Sequence, residues 1–457
     1  MPTGARRVPL QAPGGDVVAL PELRRTAARP VPADPVAGGR RLGQPRTQRD
    51  SDAPYGVRMA FDVARIRGLF PALGDGWIHF DGAAGMLVPE QVASAVSTAM
   101  RAPVSGPGGA FPASHRAESI VSAARRAVAD LVGADPSGVV LGPSASVLLR
   151  RLADAMSDRW TLGDELVVSR LDDEANLAPW LRAAKRAGAV TRWSEIDIET
   201  CELPAWQYES LVSARTKVVA ITAASGSVGT RPDVPTVVEL AKRVGARVVV
   251  DATYAAPFVP LDLNSLGADV MVVSALAWGG PSVGALVFRD PDLLERLPSV
   301  SLEPDAEGPE RLELGPHAYP LLAGLVASID YLAGLDDAAA GSRRERLQSS
   351  LNSTKSYHAG LIAQLSTELR SLRHVMVIGD AMRRVPSLAF TVAGRKAPEV
   401  AEYLASQGMC AFADDGASGL FESLGVGEVG GAVRISLAHY SNVVEINQLV
   451  RVLNDLR

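Results

Sequence analysis

Residues Val250 to Phe288 read VDATYAAPFVPLDLNSLGADVMVVSALAWGGPSVGALVF, a succession of strand, loop, strand, glycine-rich turn and strand. The first strand closes an apolar run on a lone acid, Asp251. The second ends in Ser274-Ala275-Leu276-Ala277, just before Trp278-Gly279-Gly280-Pro281. Two polar strand ends therefore converge. In open α/β sheets ligands bind outside the carboxyl ends of strands, so this convergence is a candidate site.

Upstream, the same grammar repeats. GWIHF, from Gly76, is a short strand followed by the turn Asp81-Gly82-Ala83-Ala84, and Pro89 opens the helix PEQVASAVSTAM in its first turn. Ser114 is placed to cap SHRAESIVSAARRAVADLVGA, whose Ile120, Ala123, Ala127 and Leu131 share one face. GVVLG then leads into PSASVLLRRLADAM. There Ser144, Ala145 and Ser146 stand at a helix N-terminus, where free N–H groups and the helix dipole favour an anion such as phosphate, although serine at that place is also an ordinary cap. Strand ELVVS, a helix from about Asn176, strand KVVAIT, turn ASGSVGT, helix VPTVVELAKRVG and strand RVVVD follow. This alternation predicts right-handed βαβ units and a mainly parallel sheet.

After about residue 299 the pattern changes. Two helices, PLLAGLVASIDYLAGL and a longer one from SRRERL to ELRSL, precede strands HVMVIG and SLAFTVAG. Helix APEVAEYLASQG, strand GAVRISLAHY and a terminal helix complete an α+β layer. The expected division is a tail over residues 1–58, a large α/β domain over 59–298 and a smaller α+β domain over 299–457. The tail is rich in Pro, Gly, Ala and Arg without apolar periodicity, which predicts disorder. Arg6-Arg7 lacks the apolar core that a twin-arginine signal needs, and Met59 is an alternative natural start.

Of the 457 residues, 47% are hydrophobic and 21% charged, the composition of a globular protein with a large core. A net charge of −5 gives no electrostatic reason to bind nucleic acid. The two cysteines, Cys201 and Cys410, are too few for a disulfide framework or a cysteine-based metal site and suit a reducing, cytoplasmic setting. Cys410, in GMCAF, reads as a packed strand residue. No apolar run of about 18 residues is present, so no membrane span is expected.

From Ile78 to Leu456 the landmarks IHFDGAAG, GPSASVL, LDDEANLAPW, VGTRPDV, VDATYAAPF, SALAWGGPSVGAL, ELGPHAY and VRISLAHYSNVVEINQLV occur in order. Together they resemble the class V aminotransferase and cysteine desulfurase branch of the fold-type-I pyridoxal-phosphate enzymes. The resemblance implies a seven-stranded, mainly parallel sheet with a smaller α+β domain, pyridoxal 5'-phosphate as cofactor, an amino-acid substrate, and a homodimer with sites at the subunit interface. In that chemistry a lysine forms a Schiff base with the cofactor aldehyde, and an Asp keeps the pyridine nitrogen protonated. A helix N-terminus with hydroxyls holds the phosphate, and an Arg clamps the substrate carboxylate.

Carried onto this chain, the resemblance implies that Asp251 is the pyridine partner, Ser144, Ala145 and Ser146 the phosphate turn, Ser274 a phosphate-side hydroxyl and Arg434 the carboxylate clamp. Taken alone, Asp251 could cap a turn, Ser274 satisfy backbone and Arg434 pair with a surface acid. Other family positions are altered. Ala277 stands where the Schiff-base lysine belongs, with Leu276 beside it, and Asp173 stands for the stacking His. Gly226 stands for an Asn that bonds the ring hydroxyl, Tyr254 for a Gln or His, and Pro316 for a Thr that reaches a partner's phosphate. No cysteine falls on the desulfurase nucleophile loop. The five lysines, Lys185, Lys217, Lys242, Lys355 and Lys396, sit on helix ends, at the wrong end of a strand or in the small domain.

The expectation is thus a catalytically degenerate member, with no catalytic residue and no metal ligand assigned. It would keep a pocket for non-covalently bound pyridoxal phosphate or an amino-acid-like ligand. The alternative is an active aminotransferase or carbon–sulfur lyase working by a non-standard route.

Overall fold

The computed structural model describes residues 61–417 and 419–456. The readings of residues 1–58 as a disordered tail and of Met59 as a start lie outside them. Among the described residues thirteen strands are found: β1 (Ile78–His79), β2 (Val139–Gly142), β3 (Glu165–Ser169), β4 (Val190–Ser194), β5 (Thr216–Thr222), β6 (Arg247–Asp251), β7 (Val270–Ser274), β8 (Gly284–Phe288), β9 (Val375–Ile378), β10 (Ser387–Val392), β11 (Met409–Cys410), β12 (Phe412–Asp414) and β13 (Ala432–Ser436). Seven form one sheet in the order β2-β8-β7-β6-β5-β3-β4. All its pairings are parallel except those of β8, which runs against β7 and β2. The α/β architecture with a mainly parallel seven-stranded sheet is as expected from the sequence.

The strands are continuous apolar runs because helices cover both faces. Pleat alternation then sorts them: Val248, Val250, Met271 and Val273 join one core, while Val249, Val270, Val272, Val218 and Ala220 join the other. The second core is closed by the helices Ala145–Met156 and Glu174–Ala187, through Leu148, Leu152, Leu177 and Trp180. The same parity continues to the strand ends. Asp251, Ser274 and Thr222 fall on the face that carries these helices, whose N-termini begin at Ser144 and Asp173.

A four-stranded antiparallel sheet, β12-β13-β10-β9, has its own core, in which Phe80, Leu365, Phe390, Ile435 and Leu449 pack. The leading segment joins it through the parallel pairing of β1 with β11. Arg434 lies in β13 between Ala389 of β10 and Phe412 of β12.

Three local expectations are corrected. Ser114 does not cap a helix: the helix runs Pro112–Val132, and the Ser114 hydroxyl donates to the Gly106 carbonyl at 2.6 Å and accepts the Gly109 N–H at 2.7 Å. Pro112 takes the first-turn place, where its missing N–H costs nothing. Pro89 is the N-cap of Glu90–Arg101 and not its first residue. The helix expected from Asn176 starts at Glu174, because the extended backbone of Asp173 forms the cap.

Candidate ligand site

The phosphate-type turn is built by close backbone approach. Ser144 is the N-cap of Ala145–Met156, its hydroxyl accepting the Val147 N–H at 3.2 Å. The turn rests on Gly284, where a side-chain carbon would collide with Ser144 and Ala145 backbone. Gly284 is the cross-strand partner of Ser274, so the Ser144–Ala145 turn lies near the end of β7 that carries Ser274. A cavity of ≈ 180 Å³ beside this turn is lined by Gly142, Pro143, Ser282, Pro316 and His317.

Asp251 is buried at the end of β6, and its carboxylate accepts the Thr253 N–H at 2.9 Å. Burial raises its pKa. Two further acids come from the loop after β3. Asp172, 2% exposed, accepts from the Asn176 amide at 2.8 Å and from the Ser169 hydroxyl. Burial, reinforced by Asp251 and Asp173, pushes its pKa up to about 7. Asp173 makes no side-chain bond to the helix it caps, although Asp is among the best N-cap residues. Its carboxylate lies beside Tyr254 instead, and burial and then Asp251 push its pKa up to about 6 against the pull of Arg434. Burial and then Asp173 also raise the Tyr254 phenol. Three carboxyl groups so close in low dielectric cannot all ionise independently.

Arg434 completes the group from the other sheet. Its Nη1 donates to the Ser227 hydroxyl at 3.5 Å, its Nε is buried with no acceptor, and Phe412 lies 6.0 Å from its guanidinium carbon. No carboxylate lies within ion-pairing distance of it among the described residues. Arg434, Tyr254, Asp81 and Ser436 line a cavity of ≈ 110 Å³. Tyr254 lines that cavity and lies within electrostatic reach of Asp173 and Asp251. A Cβ on Gly226 would stand 2.7 Å from the Tyr254 ring, so the ring fills the room a larger residue would need.

Ala277 is buried in the turn Ala275–Trp278 that follows β7, and Leu276 beside it is 42% exposed. The Leu276 carbonyl accepts the Met86 N–H at 3.1 Å, pinning the turn to the leading segment. Lys185 and Lys242 lie in the last turns of Glu174–Ala187 and Val234–Arg243. Lys217, at the start of β5, pairs with Asp164 at 3.2 Å. Lys355 lines a different cavity, and Lys396 is the N-cap of Ala397–Ser406.

Sequence reasoning missed Asp172 and Asp81. The first is signalled only by the doublet Asp172-Asp173 closing a buried strand. Cys410 lies on β11, partly buried, where burial and then Asp81 raise its thiol. No metal-ligand spacing is visible along the chain, yet β1–β11 pairing brings His79, Asp81 and Cys410 ligand atoms within 4.8 Å of one another.

Residues 78–449 match the family model for aminotransferase class-V, and the chain belongs to that family. An uncharacterized protein of Mycobacterium tuberculosis is 53% identical over 398 residues, covering 87% of this chain and 100% of the relative. A probable cysteine desulfurase of Mycolicibacterium paratuberculosis is 30% identical, over 86% of this chain and 58% of that protein. The apo structure of a cysteine desulfurase from Thermococcus onnurineus superimposes with a TM-score of 0.77 at 25% identity, covering 87% of this chain and 98% of that one. The chain is therefore class-V aminotransferase and cysteine desulfurase-like, in a family that uses pyridoxal phosphate. Among the described residues no helix is long and apolar enough to cross a membrane.

Proposed function

We propose that the protein is a catalytically degenerate class-V member that binds a small amino-acid-like zwitterion and takes pyridoxal phosphate, if at all, without a covalent tether. The observation that carries this is the approach of Arg434, a guanidinium without an ion pair among the described residues, to Asp173, which is itself electrostatically coupled to Asp172 and Asp251. Arg434 suits a carboxylate and the acids suit an ammonium. Toward the cofactor the fit is partial. Asp251 and the Ser144, Ala145, Ser146 and Ser274 group suit a ring nitrogen and a phosphate, but the Tyr254 ring packed on Gly226 takes the room of the Asn side chain that the resemblance implies for the ring hydroxyl. Ala277 in the turn after β7 and the settings of the five lysines support the absence of a Schiff-base lysine. Loss of a covalent catalytic group commonly costs several powers of ten in rate, which argues against useful turnover. The homodimer that the resemblance implies belongs to the same reading, with Leu276 and Leu314 among the exposed apolar side chains.

Titration with pyridoxal phosphate followed by absorbance, then borohydride reduction and mass spectrometry, tests this reading. A cofactor fixed to any lysine would refute it. The second reading, an active transaminase or carbon–sulfur lyase using a preformed pyridoxamine form or a lysine lent by another chain, draws on the same Asp251 and Arg434. Release of pyruvate, sulfide or a keto acid from an amino-acid panel would favour it.

A further inference from the structure

A cavity of ≈ 770 Å³ shares no lining residue with the Arg434 cavity. Four segments build it: Arg231 after the ASGSVGT turn, Phe258 to Pro260 after β6, one side of the helix Arg343–Ser371, and the loop Asp380 to Pro386. The loop is held to the first segment by the Arg231 N–H donating to the Arg383 carbonyl at 2.9 Å and by a bridge between Thr230 and Arg384. Its size falls within the roughly 300–1,000 Å³ of small-molecule sites.

The wall charge opposes that of the protein. Arg231, Lys355, Arg370, Arg383 and Arg384 face the cavity with one acid, Asp380, which Arg370 already engages at 3.3 Å. The chain as a whole carries −5. Among the described residues Arg231, Lys355, Arg383 and Arg384 make no ion pair, and the Nε atoms of Arg231 and Arg384 are buried without an acceptor. Burial and then Arg383 lower the Arg231 pKa, as for a buried cation with a second one beside it. Such a group is costly until an anion joins it. Phe258 and Ile362 supply an apolar wall beside the cations. The two chemistries together call for an anion with an apolar body.

We propose that this cleft is a second ligand site, separate from the Arg434 site, taking an organic phosphate monoester with an apolar body: guanidinium forks of Arg231 and Arg383 and the Lys355 ammonium hold the phosphate, and Phe258 and Ile362 hold the body. Planar forks match phosphate oxygens, and the several cations converging on one cleft favour a dianionic phosphate over a single carboxylate. The proposal stands whether or not the chain is degenerate.

Calorimetric titration of the full chain with 1-naphthyl phosphate tests it, with 1-naphthol and inorganic phosphate as part-ligands. One-to-one saturation is expected, with both part-ligands binding far more weakly. Lys355 and Arg383 are exposed, so Lys355→Gln and Arg383→Gln leave the core untouched; each is expected to weaken binding about tenfold. Arg434→Gln is expected to leave it unchanged. Absence of saturation, equal affinity for 1-naphthol, indifference to both cation substitutions, or loss of binding in Arg434→Gln would each overturn the proposal.

Discussion

The Tyr254 ring lies over Gly226 so closely that a Cβ at 226 would stand 2.7 Å from it. The two positions, read separately along the sequence, are one packing unit. Gly226→Asn should therefore destabilise the protein by about 1–3 kcal/mol, the range for overpacking. With Tyr254→Ala in the background, the same change should cost much less. Urea unfolding of the two single variants and the double variant measures the coupling. Additive effects would mean that the ring moves aside freely.

Asp172 should make the protein less stable as pH rises. Its folded pKa is about 7 against an ordinary value of 3.8, so between those values the unfolded chain loses a proton that the folded chain keeps. Its contribution is fully present below about pH 4 and is lost as pH rises through 7. Asp172→Asn cannot titrate, so its stability relative to the parent should climb over that window, at most roughly 1.4 kcal/mol per pH unit, and level off above it. Unfolding midpoints at pH 4, 5.5, 7 and 8.5 would check this; a flat difference would sink it.

Two buried histidines pull the other way. His358 and His439, ring centroids 5.5 Å apart, are lowered by burial to about 3 and about 4, the former also by His439. Both are neutral when folded, so their contribution is intact above the unfolded value of about 6.5 and is lost as pH falls toward 4 and then 3. His358→Phe should remove part of the acid-side loss, about 1.4 kcal/mol per pH unit between 6 and 4. Because the buried acids oppose this slope, the readout is the difference between variant and parent at each pH, followed by thermal unfolding.

Arg434 draws Asp173 down against burial and Asp251. In Arg434→Gln the Asp173 carboxyl should titrate above its present value of about 6, visible in carbon-detected NMR of labelled aspartates. Binding of a free amino acid to the proposed site should weaken at least about tenfold, as expected for losing a charge-assisted pair. Unchanged amino-acid affinity would remove the carboxylate role.

Much of this arrangement is local and therefore legible in the sequence. The strand ends at Asp251 and Ser274, the cap at Ser144 and the succession of parallel strands follow from apolar runs and turn residues within a few positions of one another. Helix starts at Pro112 and Glu174 were displaced because a proline or a cap two residues earlier competes for the first turn. What the chain order hides is contact between distant segments. The Gly226–Tyr254 packing, the meeting of Asp172 with Asp251, and the cationic cleft drawn from four segments depend on side-chain parity and sheet order. No single window of sequence contains them.

The coupled carboxyl groups of Asp172, Asp173 and Asp251 also make the pocket a proton reservoir. With Asp172 at about 7 and Asp173 at about 6, the empty protein near neutrality carries protons there that an incoming ammonium would displace. Ligand uptake should then be accompanied by acid release into the medium. The heat of binding would differ between buffers of unequal ionisation enthalpy, and affinity would tighten from pH 6 to pH 8, before any chemistry is asked of the site.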